Sequence, residues 1–228
     1  MAVSHIASNF TLNTSSFSLN GGASPNGVIV FTVSNDNTNT VTAITHGTNS
    51  LVEIPGSPIT KAGGETAHMS AWFLGSGIET GIQTVSVTEG GAGGFFMGGS
   101  VLGGDADLEI VDSDLTISSN SLANPSVTLS PGGRSCFCSI AFFSGQNAPS
   151  GVAPLTDWTS VAEADFTSQM GCYYRYNIIG TTDVTAGWTQ TAEDALAIAV
   201  AISEVAASAK VGRGLTRSLK LGRLRLAA

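Results

Sequence analysis

Residues 194–205 read "DALAIAVAISEV", and this pattern restricts the fold more than any other stretch of the chain. Leu196, Ile198, Val200 and Ile202 alternate with Ala195, Ala197, Ala199 and Ala201. Alanine favours a helix, but a helix would scatter the four bulky residues around its circumference. On a strand, successive side chains point to opposite faces, giving one bulky face and one small face, both apolar. Such a strand belongs in the middle of a sheet that is covered on both sides. The spacing therefore predicts a central strand over 194–205.

Period-two alternation recurs in "GVIVFTVS" (27–34), "TVTAITHG" (40–47), "HMSAWFLG" (68–75), "IQTVSVTE" (82–89), "LTISS" (115–119), "PSVTLSP" (125–131) and "SCFCSIAFFSG" (135–145). Turn chemistry such as "NGGASPNG", "NDNTNT" and "SPGGR" separates these runs. Nothing reads as a βαβ unit. The expected fold is all-β: a two-sheet antiparallel sandwich, jelly-roll or immunoglobulin-like, over residues 26–206. Residues 1–25 form an N-terminal segment and residues 207–228 an extended C-terminal arm. Trp72, Phe95, Phe96, Trp158 and Trp188 are the candidate core or interface aromatics, because these side chains supply the largest contact areas.

Charge divides the chain in two. Nine Lys and Arg face 17 Asp and Glu, for a net charge of −8. Six of the nine (Lys210, Arg213, Arg217, Lys220, Arg223, Arg225) lie in the last 19 residues, which hold no acid. The body thus carries 3 − 17 = −14 and the tail +6. Charged residues are only 11% of the chain, against roughly 25% in an ordinary soluble domain. An acidic body argues against nucleic acid as a broad partner. The tail also carries leucines. Leu219, Leu221, Leu224 and Leu226, with Lys220, Arg223 and Arg225 between them, nearly alternate and are suited to adding a strand to another subunit's sheet. Leu215, Leu219 and Leu226 with the arginines alternatively make a weak amphipathic helix, which Gly212, Gly214 and Gly222 disfavour. Arg213, Leu215, Arg217, Leu219, Lys220, Leu221, Arg223, Leu224, Arg225 and Leu226 are thus the candidate interface arm. DNA contact by the same charges is a less favoured reading.

Candidate chemistry is sparse. The start, "MAVSHIASNF", has no basic n-region or apolar h-region, so no signal peptide is expected. No window approaches the ~20 apolar residues of a membrane span. Cys136 and Cys138 fall on one strand face, and Cys172 is distant in sequence; three cysteines read as reduced, buried thiols. The glycine-rich "TEGGAGGFFMGGSVLGGD" (88–105) contains no phosphate-binding register and no basic residue; its glycines read as bends and close packing. Asp105, Asp107 and Glu109 share a strand face, with Asp112 and Asp114 beyond. Without calcium-loop spacing they read as an acidic edge that discourages edge-to-edge pairing. His46 and His68 read as packed imidazoles. Glu163 with Asp165, or Glu193 with Asp194, are default carboxylate pairs for a glycan hydrolase and nothing more. No catalytic residue, cofactor or metal is expected.

Three stretches, "VTAITHGTNSLVEI", "SAWFLGSGIETGIQTVSVT" and "TAGWTQTAEDALAIAVAISEV", carry a resemblance over roughly 40–205. In their order of strands and glycine turns they resemble a family of small β-sandwich proteins of tailed bacteriophages and prophages. The resemblance implies a non-enzymatic virion component, made in the host cytoplasm and assembled as a homo-oligomer with other virion proteins. Capsid decoration and a neck, tail-adaptor or fibre-base role fit equally. The family offers no catalytic residues to carry over, and the basic arm has no counterpart in it. The alternative is a carbohydrate-binding sandwich module, which requires exposed aromatics on a flat platform.

Overall fold

The structure is a computed structural model. It describes residues 3–206 except 37, 62–65, 92–94, 123–125, 145–152, 155–157, 168–169, 180–182 and 190–192. For Phe95, 116–122, 153–154, Ser160, 162–167, 170–179, 186–189 and Glu193 it describes the strand path alone. Ten strands occupy the first half: β1 (Ser4–Leu12), β2 (Ser16–Asn20), β3 (Gly27–Ser34), β4 (Val41–His46), β5 (Asn49–Ser50), β6 (Val52–Glu53), β7 (Ile59–Lys61), β8 (Ala67–Leu74), β9 (Ile82–Glu89) and β10 (Phe95–Gly103). Eight follow: β11 (Leu108–Leu122), β12 (Ser126–Leu129), β13 (Cys136–Ser144), β14 (Ala153–Pro154), β15 (Thr159–Thr167), β16 (Met170–Ile179), β17 (Val184–Thr189) and β18 (Glu193–Glu204). Among the described residues there is no helix, so none long and apolar enough to cross a membrane.

Every strand pairing is antiparallel. The first half builds two sheets, one ordered β1-β10-β3-β8-β6 with β7 also on β8, the other β2-β9-β4-β5. The second half builds a sheet ordered β11-β18-β13-β16-β15 and a small one ordered β12-β17-β14. The expected antiparallel sandwich is present, and a further sheet covers each of its outer faces.

Three apolar clusters fill the spaces between these layers. The middle one joins the two large sheets: Ile29, Phe31 and Val33 of β3, Met69 and Ala71 of β8, and Phe96 and Leu102 of β10 meet Phe137, Ala141 and Phe143 of β13 and Leu196, Ile198, Val200 and Ile202 of β18. On the other side of β3, Val28 and Val30 join Trp72, Met97 and Val101 against Phe17, Leu19, Ile44, Val85 and Val87 of the β2-β9-β4 sheet. On the other side of β18, Ala195, Ala197, Ala199 and Ala201 join Cys136, Cys138, Ile140 and Phe142 against Val127 and Leu129 of β12.

The alternation in β18 thus separates two cores. Its bulky face fills the central space and its alanine face leaves room for β12. All eight residues of β3, and all nine of β13, are buried for the same reason. Such a strand shows no polar face because both of its faces are covered. The register is set accordingly: β18 places Ile198 between Leu115 and Ala141, and Leu196 between Ile117 and Phe143. A slip of one residue would turn the alanines into the central core.

Among the described residues, two close polar contacts help stitch the halves. Leu108, the first residue of β11, donates its N–H to the Gly75 carbonyl at 2.7 Å. A Cβ on Gly75 would lie 1.9 Å from the Leu108 carbonyl oxygen, so only glycine permits this approach. The second stitch is an ion pair at 2.7 Å between Lys61 of β7 and Asp194 of β18, with side chains 3% and 14% exposed. A charge left alone at such depth is strongly disfavoured. Lys61→Ala is therefore expected to lower unfolding free energy by about 3–5 kcal/mol. The double variant Lys61→Met with Asp194→Leu should recover most of the loss, as read from urea denaturation. Ala199→Leu, which overfills the space under β12, is expected to cost about 1–3 kcal/mol in the same assay.

Candidate assembly surface

Carboxylates of the acidic strip are engaged in holding strands. Asp114 accepts the Thr128 N–H at 3.0 Å and Asp112 accepts the Ser130 N–H at 2.6 Å. Two carboxylates of β11 therefore bind backbone donors at Thr128 within β12 and at Ser130 just past its end. Charge-assisted bonds of this kind are shorter and stronger than neutral ones. Glu109 pairs with Arg134 at 2.8 Å. Among the described residues, no group of three or more His, Cys, Asp and Glu is arranged to hold a metal ion.

Arg134 also reaches the end of β18, donating from Nη2 to the Glu204 carbonyl. Around it, the Val205 N–H donates to the Asp107 carbonyl at 2.7 Å, and the Asp105 N–H donates to Glu204 Oε1 at 2.5 Å. Asn26 braces the same loop, donating to the Ala106 carbonyl and accepting the Gly104 N–H, both at 3.2 Å. The described end of the chain therefore lies at a pinned corner rich in acids. Beside that corner lies an open groove of about 500 Å³ lined by Ser4, Ile6, Gly22, Ala23, Ser24, Gly103, Gly104 and Asp105. Three glycines in the wall bring backbone to the groove surface. Sequence reasoning singled out the acids but not the groove, because Gly103 meets Ser4 through the β1–β10 pairing and Gly22 approaches Ile6 from the loop after β2.

The aromatic candidates divide. Trp72 is buried in the cluster between the two first-half sheets. Its Nε1–H donates to Ser70 Oγ at 2.7 Å, and that hydroxyl bonds Thr32 Oγ1 at 2.6 Å. Phe96 is fully buried in the central core, with the half-exposed Phe10 ring stacked at 6.2 Å. Trp158 is half-buried and packs against the third cluster. Phe95 lies on β10, and Trp188 of β17 pairs with Pro154 of β14; their side chains lie outside the description. Burial removes Trp72 from any flat sugar-binding platform. The arm residues Arg213, Leu215, Arg217, Leu219, Lys220, Leu221, Arg223, Leu224, Arg225 and Leu226 all lie outside the described residues.

The remaining reactive groups are packed. Cys136 and Cys138 are free, buried and on one face of β13, as their spacing predicts. Burial raises both thiols above the ordinary value, most strongly at Cys138, where Cys136 adds to the effect. Of the default carboxylate pairs, Asp194 is engaged by Lys61, and the side chains of Glu163, Asp165 and Glu193 lie outside the description. His5 Nε2 meets Ser8 Oγ at 2.6 Å, and Ser8 Oγ meets Ser100 Oγ at 2.6 Å. The His5 ring stacks over Phe137 at 6.1 Å, so this polar chain pins the edge strand β1 against the central core. His46 and His68 are fully buried, with both ring nitrogens of His46 and Nε2 of His68 lacking a hydrogen-bond partner. Glu79, near His46, is held low chiefly by the Thr48 hydroxyl and N–H.

Comparison with family models, with curated proteins and with solved structures gave no match.

Burial lowers the affinity of His46 and His68 for a proton; at His46 the Glu79 charge opposes this weakly. The unfolded chain titrates near 6.5, so below that pH it binds protons that the folded state refuses. Stability is therefore expected to be flat between about pH 6.5 and 8 and to fall as the pH is lowered through 6.5. His46→Leu should remove up to one proton's share of the slope, about 1.4 kcal/mol per pH unit, measured by urea midpoints between pH 7.5 and 5. Asp112→Asn with Asp114→Asn should lower stability by about 1–3 kcal/mol through the weakened anchoring of β12.

Proposed function

We propose that this chain is a structural subunit of a bacteriophage-like virion, serving in capsid decoration or as a neck, tail-adaptor or fibre-base protein. It self-associates through its basic C-terminal arm. The observation that carries this reading is the use made of the described ionisable groups, which tie strands together. Asp112 and Asp114 hold β12, Arg134 and Glu204 hold the end of β18, Lys61 and Asp194 join the two halves, and Glu79 holds the turn at Thr48. A stiff, layered body that carries an arm of opposite charge has the physical make-up of a part positioned by its neighbours. The phage-like order of strands and glycine turns over 40–205 supports the same reading. No catalytic step enters it.

Light scattering of the full chain and of a form ending at Ala209 tests the self-association, at about 0.1 and 0.5 M salt, where screening lengths differ roughly twofold. The full chain should exceed the monomer mass and lose mass at the higher salt, while the shortened form stays monomeric. A full chain that is monomeric in both salts refutes self-association. Mass spectrometry of purified particles from a culture carrying the gene tests the virion assignment separately, and absence of the chain from the particles refutes that assignment.

A further inference from the structure

We infer that Lys61 and Asp194 are the site of a self-forming cross-link, in which the Lys61 amine condenses with the Asp194 carboxyl to give an isopeptide bond between β7 and β18. Contact, positioning and burial each carry this. Lys61 Nζ stands 2.7 Å from Asp194 Oδ2. The carboxyl carbon is one bond of ~1.2 Å from that oxygen, which puts it within ~4 Å of the nitrogen and close to the ~3–3.5 Å at which positioned groups react. Both side chains are rooted in paired backbone. Lys61 is in register with Ala67 of β8, and Ala195, next to Asp194, lies between Ser118 of β11 and Ser144 of β13. Folding therefore brings the two groups together and holds them, which replaces the entropy cost of a chance encounter.

The surroundings are apolar. Lys61 shares its strand face with Ile59, and Asp194 shares its own with Leu196. Both neighbours belong to the central cluster, as do Ala67 and Met69 of β8. The two side chains are 3% and 14% exposed. Two charges at such depth carry a desolvation penalty, and a proton passing from Nζ to Oδ2 along the contact removes both of them. The amine lone pair then attacks Cγ and the C–N bond forms. The surplus proton on nitrogen moves to a carboxyl oxygen, that C–O bond breaks, and one water leaves. The step balances as amine plus acid giving amide plus water. Exclusion of bulk water also protects the amide from hydrolysis. The bond joins residues 194 − 61 = 133 positions apart, so it restricts the unfolded chain as a long-range disulfide does. Closure adds to the effects expected above for the open ion pair, because Lys61→Met with Asp194→Leu restores packing and not the bond.

Mass spectrometry of the full chain tests this. The purified protein, shown to be folded by circular dichroism and kept at room temperature for a week, is denatured in urea and weighed. Most molecules should be one water lighter than the sequence requires. Trypsin should leave the bond after Lys61 uncut, and tandem sequencing after a second protease should find the Lys61 peptide joined to the Asp194 peptide. Lys61→Arg keeps the positive charge without the primary amine, and Asp194→Ala removes the carboxyl; both should show the full mass. A folded native chain of full mass refutes the inference, whether or not the variants fold. A water loss that maps to other residues, or that persists in Lys61→Arg, refutes it equally. Neither result bears on self-association, which is read from particle mass in the native state.

Discussion

A strand that is apolar on both faces must be covered on both faces, and three such strands organise this protein. β3, β13 and β18 each lie between two apolar clusters. Covering their inner faces brings the two large sheets together. Covering their outer faces requires the β2-β9-β4-β5 sheet on one side and the β12-β17-β14 sheet on the other. The layered stack follows from this requirement, since burial of apolar surface is the main favourable term in folding. The alanine face of β18 sets how closely the outermost layer can approach, and Val127 and Leu129 occupy the resulting space.

Polar groups are placed to serve the layers. The Lys61–Asp194 pair sits where the halves meet, and its value lies in penalising any arrangement that leaves one partner alone at depth. Carboxylates of β11 bind backbone donors of β12, an edge strand whose exposed N–H groups would otherwise seek another chain. His46 and His68 work against stability, since their unpaired ring nitrogens are costly to bury. They make the first-half sheets sensitive to acid.

Function, in the reading proposed above, lies in the contrast between body and arm rather than in a reactive centre. Several charged groups of the described body tie strands together. The described end of β18 lies at a corner where Asp105, Asp107, Glu109 and Glu204 gather, and the arm follows it in sequence. Such an arrangement gives assembly a direction and a salt dependence without requiring a large change in the body.

Much of this was legible in the residues. The alternation at 194–205 identified β18 and its two unlike faces, and the spacing of Cys136 and Cys138 placed both thiols on one face. Glycines 98 and 99 read as close packing, and a Cβ on Gly99 would indeed lie 2.9 Å from the Ile29 carbonyl. What covers a doubly apolar strand was not legible, because alternation specifies that a face is buried and says nothing about its partner. The extra sheets, the Lys61–Asp194 stitch and the groove between β1 and the 103–105 turn join residues far apart in the chain. Local periodicity thus determined the strands and their faces. Only the tertiary structure decided which faces meet, since that depends on volumes and charges fitting together across the whole molecule.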